Sequence, residues 1–105
     1  MTDIEILALI TGSLCHDIAH PGFNNAFLVA KRDPLAFKYN DSSVLENMHA
    51  STTFVILKKQ SSNIVQTLSK EDFIKFRKIT IALILATDLQ AHFDKVKIFK
   101  EICQS

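Results

Sequence analysis

Apolar residues recur at helical spacing through most of this chain. The first series lies near the amino terminus and comprises Ile4, Leu7, Ile10 and Leu14. Intervals of three and four residues place these side chains on one face of a helix. Thr2 and Glu5 have the spacing of a capping box, in which each side chain satisfies a free backbone N–H group at the start of a helix. We therefore predict a buried first helix that begins at Thr2 and ends near Ala19.

Capping residues divide the remainder of the chain into further helices. The predicted segments run from Asn24 to about Lys31, from Asp33-Pro34 to about Tyr39, from Ser43 to about Lys59, and from Ser69 with helical spacing kept to Ala86. Asn, Asp and Ser are favoured N-caps, and Ser43 with Glu46 repeats the capping-box spacing. A polar connection is expected at residues 60–63. No alternation typical of strands is present, so the predicted fold class is all-α.

The last helix is apolar at nearly every position from Ile79 to Ala86. A helix that is apolar all round has to be covered on several sides. A chain of 105 residues is at most one small domain, and it has few other elements for this purpose. Even when it is extended to Thr87, the apolar run is too short to span a bilayer. We therefore expect no membrane span, and we expect further helices to cover Ile79 to Ala86.

The overall composition excludes several classes of function. A formal net charge of +1 provides no basic face for a nucleic-acid polymer. Cys15 and Cys103 stand far apart, which fits the reduced thiols of an intracellular protein better than a disulfide framework. Asp3 and Glu5 occupy the region where a signal peptide carries basic residues. We predict a soluble, cytoplasmic protein.

The residues best suited to chemistry are His16, Asp17 and His20, and Pro21-Gly22 follows them directly. Histidine is the commonest metal ligand in proteins, and carboxylate oxygens are the ligands of harder cations. Because a proline disfavours helical backbone at the residue before it, this group is expected at the carboxyl end of the first helix. Such a group is typical of a metal-dependent hydrolase.

The run from His16 to His20 also has the outline of the H-E-x-x-H helix of zinc proteases, with Asp17 in place of the glutamate. That motif requires a continuous helix and a longer side chain as general base. The break at Pro21 and the shorter side chain of Asp17 both count against a protease.

Two further pairs of residues are candidates for a site. Glu46 and His49 lie three apart, the spacing of side chains that point together from one helix. Thr87 and Asp88 interrupt the apolar run of the last helix, where an unpaired buried carboxylate is costly. Each pair also has a structural interpretation, because His49 fits a hydrogen-bonded core residue, Glu46 fits the capping box and Asp88 fits the cap of a helix kink.

Four stretches carry these residues: Cys15 to Asn25 (CHDIAHPGFNN), Tyr39 to Asn47 (YNDSSVLEN), His49, and Leu85 to Asp88 (LATD). In content, order and spacing they resemble the class I 3′,5′-cyclic-nucleotide phosphodiesterases, within the HD phosphohydrolase superfamily. The resemblance extends over most of the chain. It implies that residues 1–105 are the middle helices of a larger, multi-helix catalytic domain, so that the domain is incomplete here.

The resemblance also implies roles for individual residues. His16 would be a ligand of a zinc ion, and Asp17 would bridge that ion to a second one, magnesium or manganese. His20, Glu46 and Thr87 would hold the waters around the second ion or orient the phosphate. The implied reaction is metal-assisted hydrolysis of the 3′ phosphoester bond of a cyclic nucleotide to the 5′-monophosphate, in cyclic-nucleotide signalling.

By the same resemblance, His49 and Asp88 would be supporting residues near the pocket. The general-acid histidine, two further metal ligands and the groups that hold the base would lie outside these 105 residues. We therefore expect the fragment alone to be inactive, and the choice between cyclic AMP and cyclic GMP stays open. Two alternatives are a non-catalytic helical piece with an interaction or regulatory role, and another HD-superfamily phosphohydrolase.

Overall fold

The fold is all-α, as the sequence predicts. The computed structural model describes residues 1–59, 63–88 and 97–103, and no strand occurs within these ranges. Its helices are α1 (Asp3–Cys15), α2 (Asn25–Lys31), α3 (Pro34–Lys38), α4 (Val44–Lys58) and α5 (Lys70–Leu85). Residues 97–103 are also helical. Of the predicted polar connection, residues 60–62 lie outside the described ranges.

Four of the predicted N-caps are present. The side-chain oxygens of Thr2, Asn24, Asp33 and Ser69 accept hydrogen bonds from backbone N–H groups in the first turns of α1, α2, α3 and α5. The capping box of α1 is only half formed, because the Glu5 carboxylate lies 3.3 Å from the ammonium of Lys75 on α5. Local sequence therefore sets where these helices begin, since each cap acts within three residues.

The core consists of two apolar clusters that share α4. One cluster joins α2 and α3 to the start of α4, and its buried members are Leu28, Ala36, Val44, Leu45 and Met48. The other joins α1 and α5 to the end of α4, and its buried members are Ala8, Leu57, Val65 and Phe76. Because both clusters use α4, this helix connects the two halves of the chain.

Helices α1 and α5 make a close contact at Gly12. A Cβ atom at this position would lie 2.6 Å from Cδ2 of Leu83, and Gly12 itself is buried. Carbon atoms do not approach so closely without displacement of one of them. The missing side chain therefore allows α1 to lie directly against the apolar part of α5.

The first helix is shorter and less buried than the sequence predicts. It ends at Cys15 rather than near Ala19, because the Ile18 N–H bonds the carbonyl oxygen of Cys15, three residues back, and the chain then turns through Ala19 with a left-handed φ of 58°. Only the face with Ala8, Thr11 and Gly12 is buried, whereas Ile6, Ile10 and Leu14 are exposed. His16, Asp17 and His20 therefore lie in a turn that follows the helix, called the metal-type turn below, and not on a buried helix.

The segment from Ile79 to Ala86 is covered on one side only. Thr80 and Ile84 are buried, but Ala82 and Ala86 are exposed. The radius of gyration is 15.8 Å, whereas a compact domain of this length has about 13 Å. None of the helices in the described ranges has the length and apolar character that a bilayer crossing requires.

The close approach at Gly12 predicts a specific loss of stability. A Gly12→Val substitution should lower the free energy of unfolding by about 1–3 kcal/mol, because the new methyl groups overlap Leu83. The measurement is urea unfolding followed by circular dichroism. Ser13→Val, at the next and exposed position of α1, adds the same β-branched side chain without the contact. Equal losses in the two variants would contradict the prediction.

Candidate functional site

The turn after α1 brings His16 and Asp17 together. The ring of His16 donates its Nδ1–H to the carbonyl oxygen of Ser13 at 2.6 Å, because a carbonyl can only accept. Nε2 then faces Oδ2 of Asp17 at 3.1 Å. The two side chains are 44% and 69% exposed, so the pair contributes little to stability. Histidines that bind metal ions commonly donate one ring N–H to a carbonyl oxygen in this way, which orients the other ring nitrogen.

The backbone beyond Asp17 turns sharply. Ala19 has φ 58° and Gly22 has φ 87°, both in the left-handed region. The Nδ1 atom of His20 accepts a hydrogen bond from the N–H of Gly22 at 2.9 Å. This bond leaves Nε2 of His20 as the nitrogen that faces outward, on an exposed ring. His16 and His20 therefore do not share a helix face.

His49 ties this turn to α4. Its side chain is almost fully buried, at 1% exposure, and its Nδ1–H donates to the carbonyl oxygen of Ile18 at 2.6 Å. The rings of His49 and His20 are stacked, with centroids 5.6 Å apart and planes 28° apart. A single buried imidazole thus fixes the backbone between Asp17 and His20 and the ring of His20.

The start of α4 is capped by a residue from α2, not by its own sequence. Ser43 makes no capping bond, because its backbone is left-handed with φ 41°. Instead, Oδ1 of Asn25 accepts from the N–H of Leu45 at 2.8 Å, and Nδ2 of Asn25 donates to Oε1 of Glu46 at 2.7 Å. The predicted capping box of Ser43 and Glu46 is therefore wrong, and Asn25 orients the Glu46 carboxylate.

Thr87 and Asp88 have separate partners. The hydroxyl of Thr87 donates to the carbonyl oxygen of Ile84 in its own helix at 2.6 Å, and Thr87 is exposed. Asp88 is 8% exposed, and its Oδ2 accepts from the hydroxyl of Ser43 at 2.6 Å. Asp88 therefore joins the end of α5 to the start of α4, which is how its buried charge is compensated.

The predicted site residues form neighbouring groups rather than one cluster. His16 contacts Asp17, His20 contacts His49, and Glu46 contacts Asn25. Across the described ranges, no three His, Cys, Asp or Glu side chains come close enough together to hold a metal ion. The donor chemistry and orientation of His16 and Asp17 fit two adjacent positions of a metal site.

A cavity lies beside these groups. It has a volume of about 960 Å³, and its lining includes Asn25, Ser43 and Asp88. His16, Asp17 and His49 do not line it. The cavity therefore adjoins the hydrogen bonds at the start of α4 rather than the metal-type turn.

Sequence reasoning missed the contacts of Asn25 with Leu45 and of Ser43 with Asp88. Asn25 follows the N-cap Asn24, and nothing in the neighbouring sequence predicts its bond to Leu45, which lies 20 residues away. Ser43 has the spacing of a cap, but its left-handed backbone prevents that role. The only signal for either residue is its place within the stretches that resemble the phosphodiesterase family.

The cap that Asn25 provides can be tested by hydrogen exchange. An Asn25→Ala substitution should remove the partner of the Leu45 N–H and cost about 1–2 kcal/mol, as losses of helix caps do. We expect the Leu45 amide to exchange faster by about tenfold or more, measured by NMR.

The matched control is Ser43→Ala. Ser43 does not cap α4, although its hydroxyl bonds Asp88, so this variant should raise the exchange rate of the Leu45 amide less than Asn25→Ala does. Faster exchange in Ser43→Ala than in Asn25→Ala would restore the predicted capping box.

Comparison with known proteins agrees with the resemblance to the cyclic-nucleotide phosphodiesterases. Residues 1–105 match the 3′5′-cyclic nucleotide phosphodiesterase family. The chain is 44% identical over 100 residues to the 3′,5′-cyclic-nucleotide phosphodiesterase regA of Dictyostelium discoideum, covering 95% of this chain and 13% of that protein. It is 47% identical over 97 residues to the dual 3′,5′-cyclic-AMP and -GMP phosphodiesterase beta of Plasmodium falciparum, covering 92% of this chain and 8% of that protein.

A solved structure shows the same fold. The phosphodiesterase domain of the RhoPDE fusion protein from the choanoflagellate Salpingoeca rosetta superimposes with a TM-score of 0.86 and 40% identity. The match covers 96% of this chain and 32% of that domain, so the chain spans about a third of a phosphodiesterase domain. Similarity to this family implies dependence on divalent metal ions. The chain belongs to the 3′5′-cyclic nucleotide phosphodiesterase family.

Proposed function

We propose that this chain is the central part of a domain that hydrolyses a 3′,5′-cyclic nucleotide. The reaction cleaves the 3′ phosphoester bond and yields the 5′-monophosphate. The observation that carries the proposal is the pair of His16 Nε2 and Asp17 Oδ2, 3.1 Å apart on a turn held by buried His49. The family match supplies the substrate class.

In this proposal His16 and Asp17 hold two divalent ions. His16 is a ligand of a zinc ion, and the Asp17 carboxylate is shared with a second ion, magnesium or manganese. When bound, such ions lower the pKa of a coordinated water and neutralise charge on phosphoryl oxygens. The hydrogen bond from His16 to Ser13 supports the first role, because it orients the ring so that Nε2 lies beside the Asp17 carboxylate.

The remaining candidates act on water and phosphate. We assign His20, Glu46 and Thr87 to the positioning of waters and phosphate oxygens. Glu46 suits this role because Asn25 engages one carboxylate oxygen, Oε1. Exposed Nε2 of His20 offers an N–H to a phosphate oxygen, since its Nδ1 is an acceptor.

His49 and Asp88 position other groups. His49 holds the backbone at Ile18, and Asp88 holds Ser43 at the start of α4. Catalysis of phosphoryl transfer depends on alignment of the reacting groups, so small movements of either contact would reduce the rate.

The surroundings of the domain are part of the proposal. We assign residues 1–105 to one partial catalytic domain, in which further helices cover the exposed side of Ile79 to Ala86. We also assign the domain to the cytoplasm, where cyclic nucleotides act as signals. The base of the substrate stays unassigned, because the names of the relatives include both cyclic AMP and cyclic GMP.

The test uses the intact protein that contains these residues. Asp17→Asn should lower the rate of cyclic-nucleotide hydrolysis by about a thousandfold, because the neutral amide cannot bridge two cations. The same variant should lose bound divalent metal, measured by inductively coupled plasma mass spectrometry. Both measurements start from protein purified without chelators.

The matched control is Asp3→Asn, an equally simple loss of one exposed carboxylate on the first turn of α1. It should leave hydrolysis and metal content unchanged. Full hydrolysis by Asp17→Asn would overturn the proposed role of Asp17. Absence of both hydrolysis and metal from the unsubstituted protein would favour the non-catalytic alternative.

A further inference from the structure

A second cavity, lined by both polar and apolar side chains, lies between α3, α4 and α5. It has a volume of about 450 Å³, which is within the usual range for small-molecule sites. Three cationic side chains line it, those of Lys38, Lys58 and Arg77, and no aspartate or glutamate does. The formal charge of the lining is therefore +3, although the whole chain carries only +1.

Two of these cations are held in place by aromatic rings. The guanidinium of Arg77 lies 4.6 Å from the ring centroid of Phe54, and the ammonium of Lys38 lies 5.3 Å from that of Tyr39. Cation–π contacts orient a charge without neutralising it. In the described part of the chain, the ion pairs are His16 with Asp17 and Lys75 with Glu5, so neither involves a cation of this cavity.

The cavity and the metal-type turn use different faces of α4. Asn47, Ser51, Phe54 and Lys58 line the cavity, and their spacing of four, three and four residues places them on one side of the helix. His49 precedes Ser51 by two residues, which is about 200° around the helix axis. A ligand in this cavity would therefore not contact the hydrogen bond between His49 and Ile18.

We propose that this cavity binds a small organic phosphate at a site separate from the His16–Asp17 turn. The guanidinium of Arg77 offers a planar set of N–H donors that matches two phosphate oxygens, and the two lysines add point charges. Apolar side chains of Val55 and Ile81 line the same cavity and would contact the body of the ester. A phosphate monoester is a dianion, so the three cations of the lining attract it more strongly than they attract a carboxylate.

The experiment measures binding of phenyl phosphate to the intact protein by isothermal titration calorimetry. We expect saturable binding that weakens as the salt concentration rises. Lys58→Gln and Arg77→Gln should each weaken it by about tenfold. Benzoate should bind more weakly than phenyl phosphate, because it carries one negative charge instead of two.

The neighbouring residues provide matched controls. Lys59→Gln and Lys78→Gln each remove one exposed cation next to a lining residue, and neither residue lines the cavity. They should change the affinity by less than about twofold. Arg77→Gln also removes the cation–π contact with Phe54 and could therefore affect folding. Lys58→Gln removes a lining cation without removing such a contact, so it tests the charge alone.

A further variant separates this site from the proposed catalytic one. Asp17→Asn should keep the salt-sensitive binding that Lys58→Gln and Arg77→Gln weaken, whether or not the protein hydrolyses cyclic nucleotides, because Asp17 does not line this cavity. Equal losses in the lining and control variants would overturn the proposal. So would the absence of saturable binding, or loss of binding only in Asp17→Asn.

Discussion

One hydrogen bond determines the geometry of the candidate site, the bond from the buried imidazole of His49 to the carbonyl oxygen of Ile18. The turn that it holds is otherwise exposed and contains residues in left-handed backbone conformations. Such a segment has few local contacts to keep it in place. Because His49 lies on α4, which both apolar clusters share, a helix anchored in the core positions the exposed chemical groups of the turn.

Local sequence was enough to predict the helices wherever the stabilising contacts are local. The starts of α1, α2, α3 and α5 were predicted because their caps lie within three residues of the groups that they satisfy. The end of α1 was misplaced, since neither the turn that begins after Cys15 nor the left-handed conformation at Ala19 leaves a mark in the sequence. The cap of α4 was wrong for a related reason, because its true partner, Asn25, is distant along the chain.

The candidate site divides in the same way, into features set by neighbouring residues and contacts made with residues that are distant along the chain. The types and spacing of His16 and Asp17 pointed to metal chemistry, and the structure places their side chains in contact. The partners of His49, Glu46 and Asp88 were not predictable from spacing, because each belongs to another element. Spacing and the similarity to a family both marked these residues as candidates, whereas the hydrogen bonds explain what each of them holds.

The two long-range bonds of α4 also have a consequence for folding. The pairs Asn25–Glu46 and Ile18–His49 are nested, and they close loops of 21 and 31 residues. Because the shorter loop costs less entropy to close, the inner pair Asn25–Glu46 should form first. Ile18 then lies only seven positions from Asn25, and His49 lies only three positions from Glu46. The metal-type turn should therefore become ordered last and open first, and φ-values at His49 below those at Asn25 would show this order.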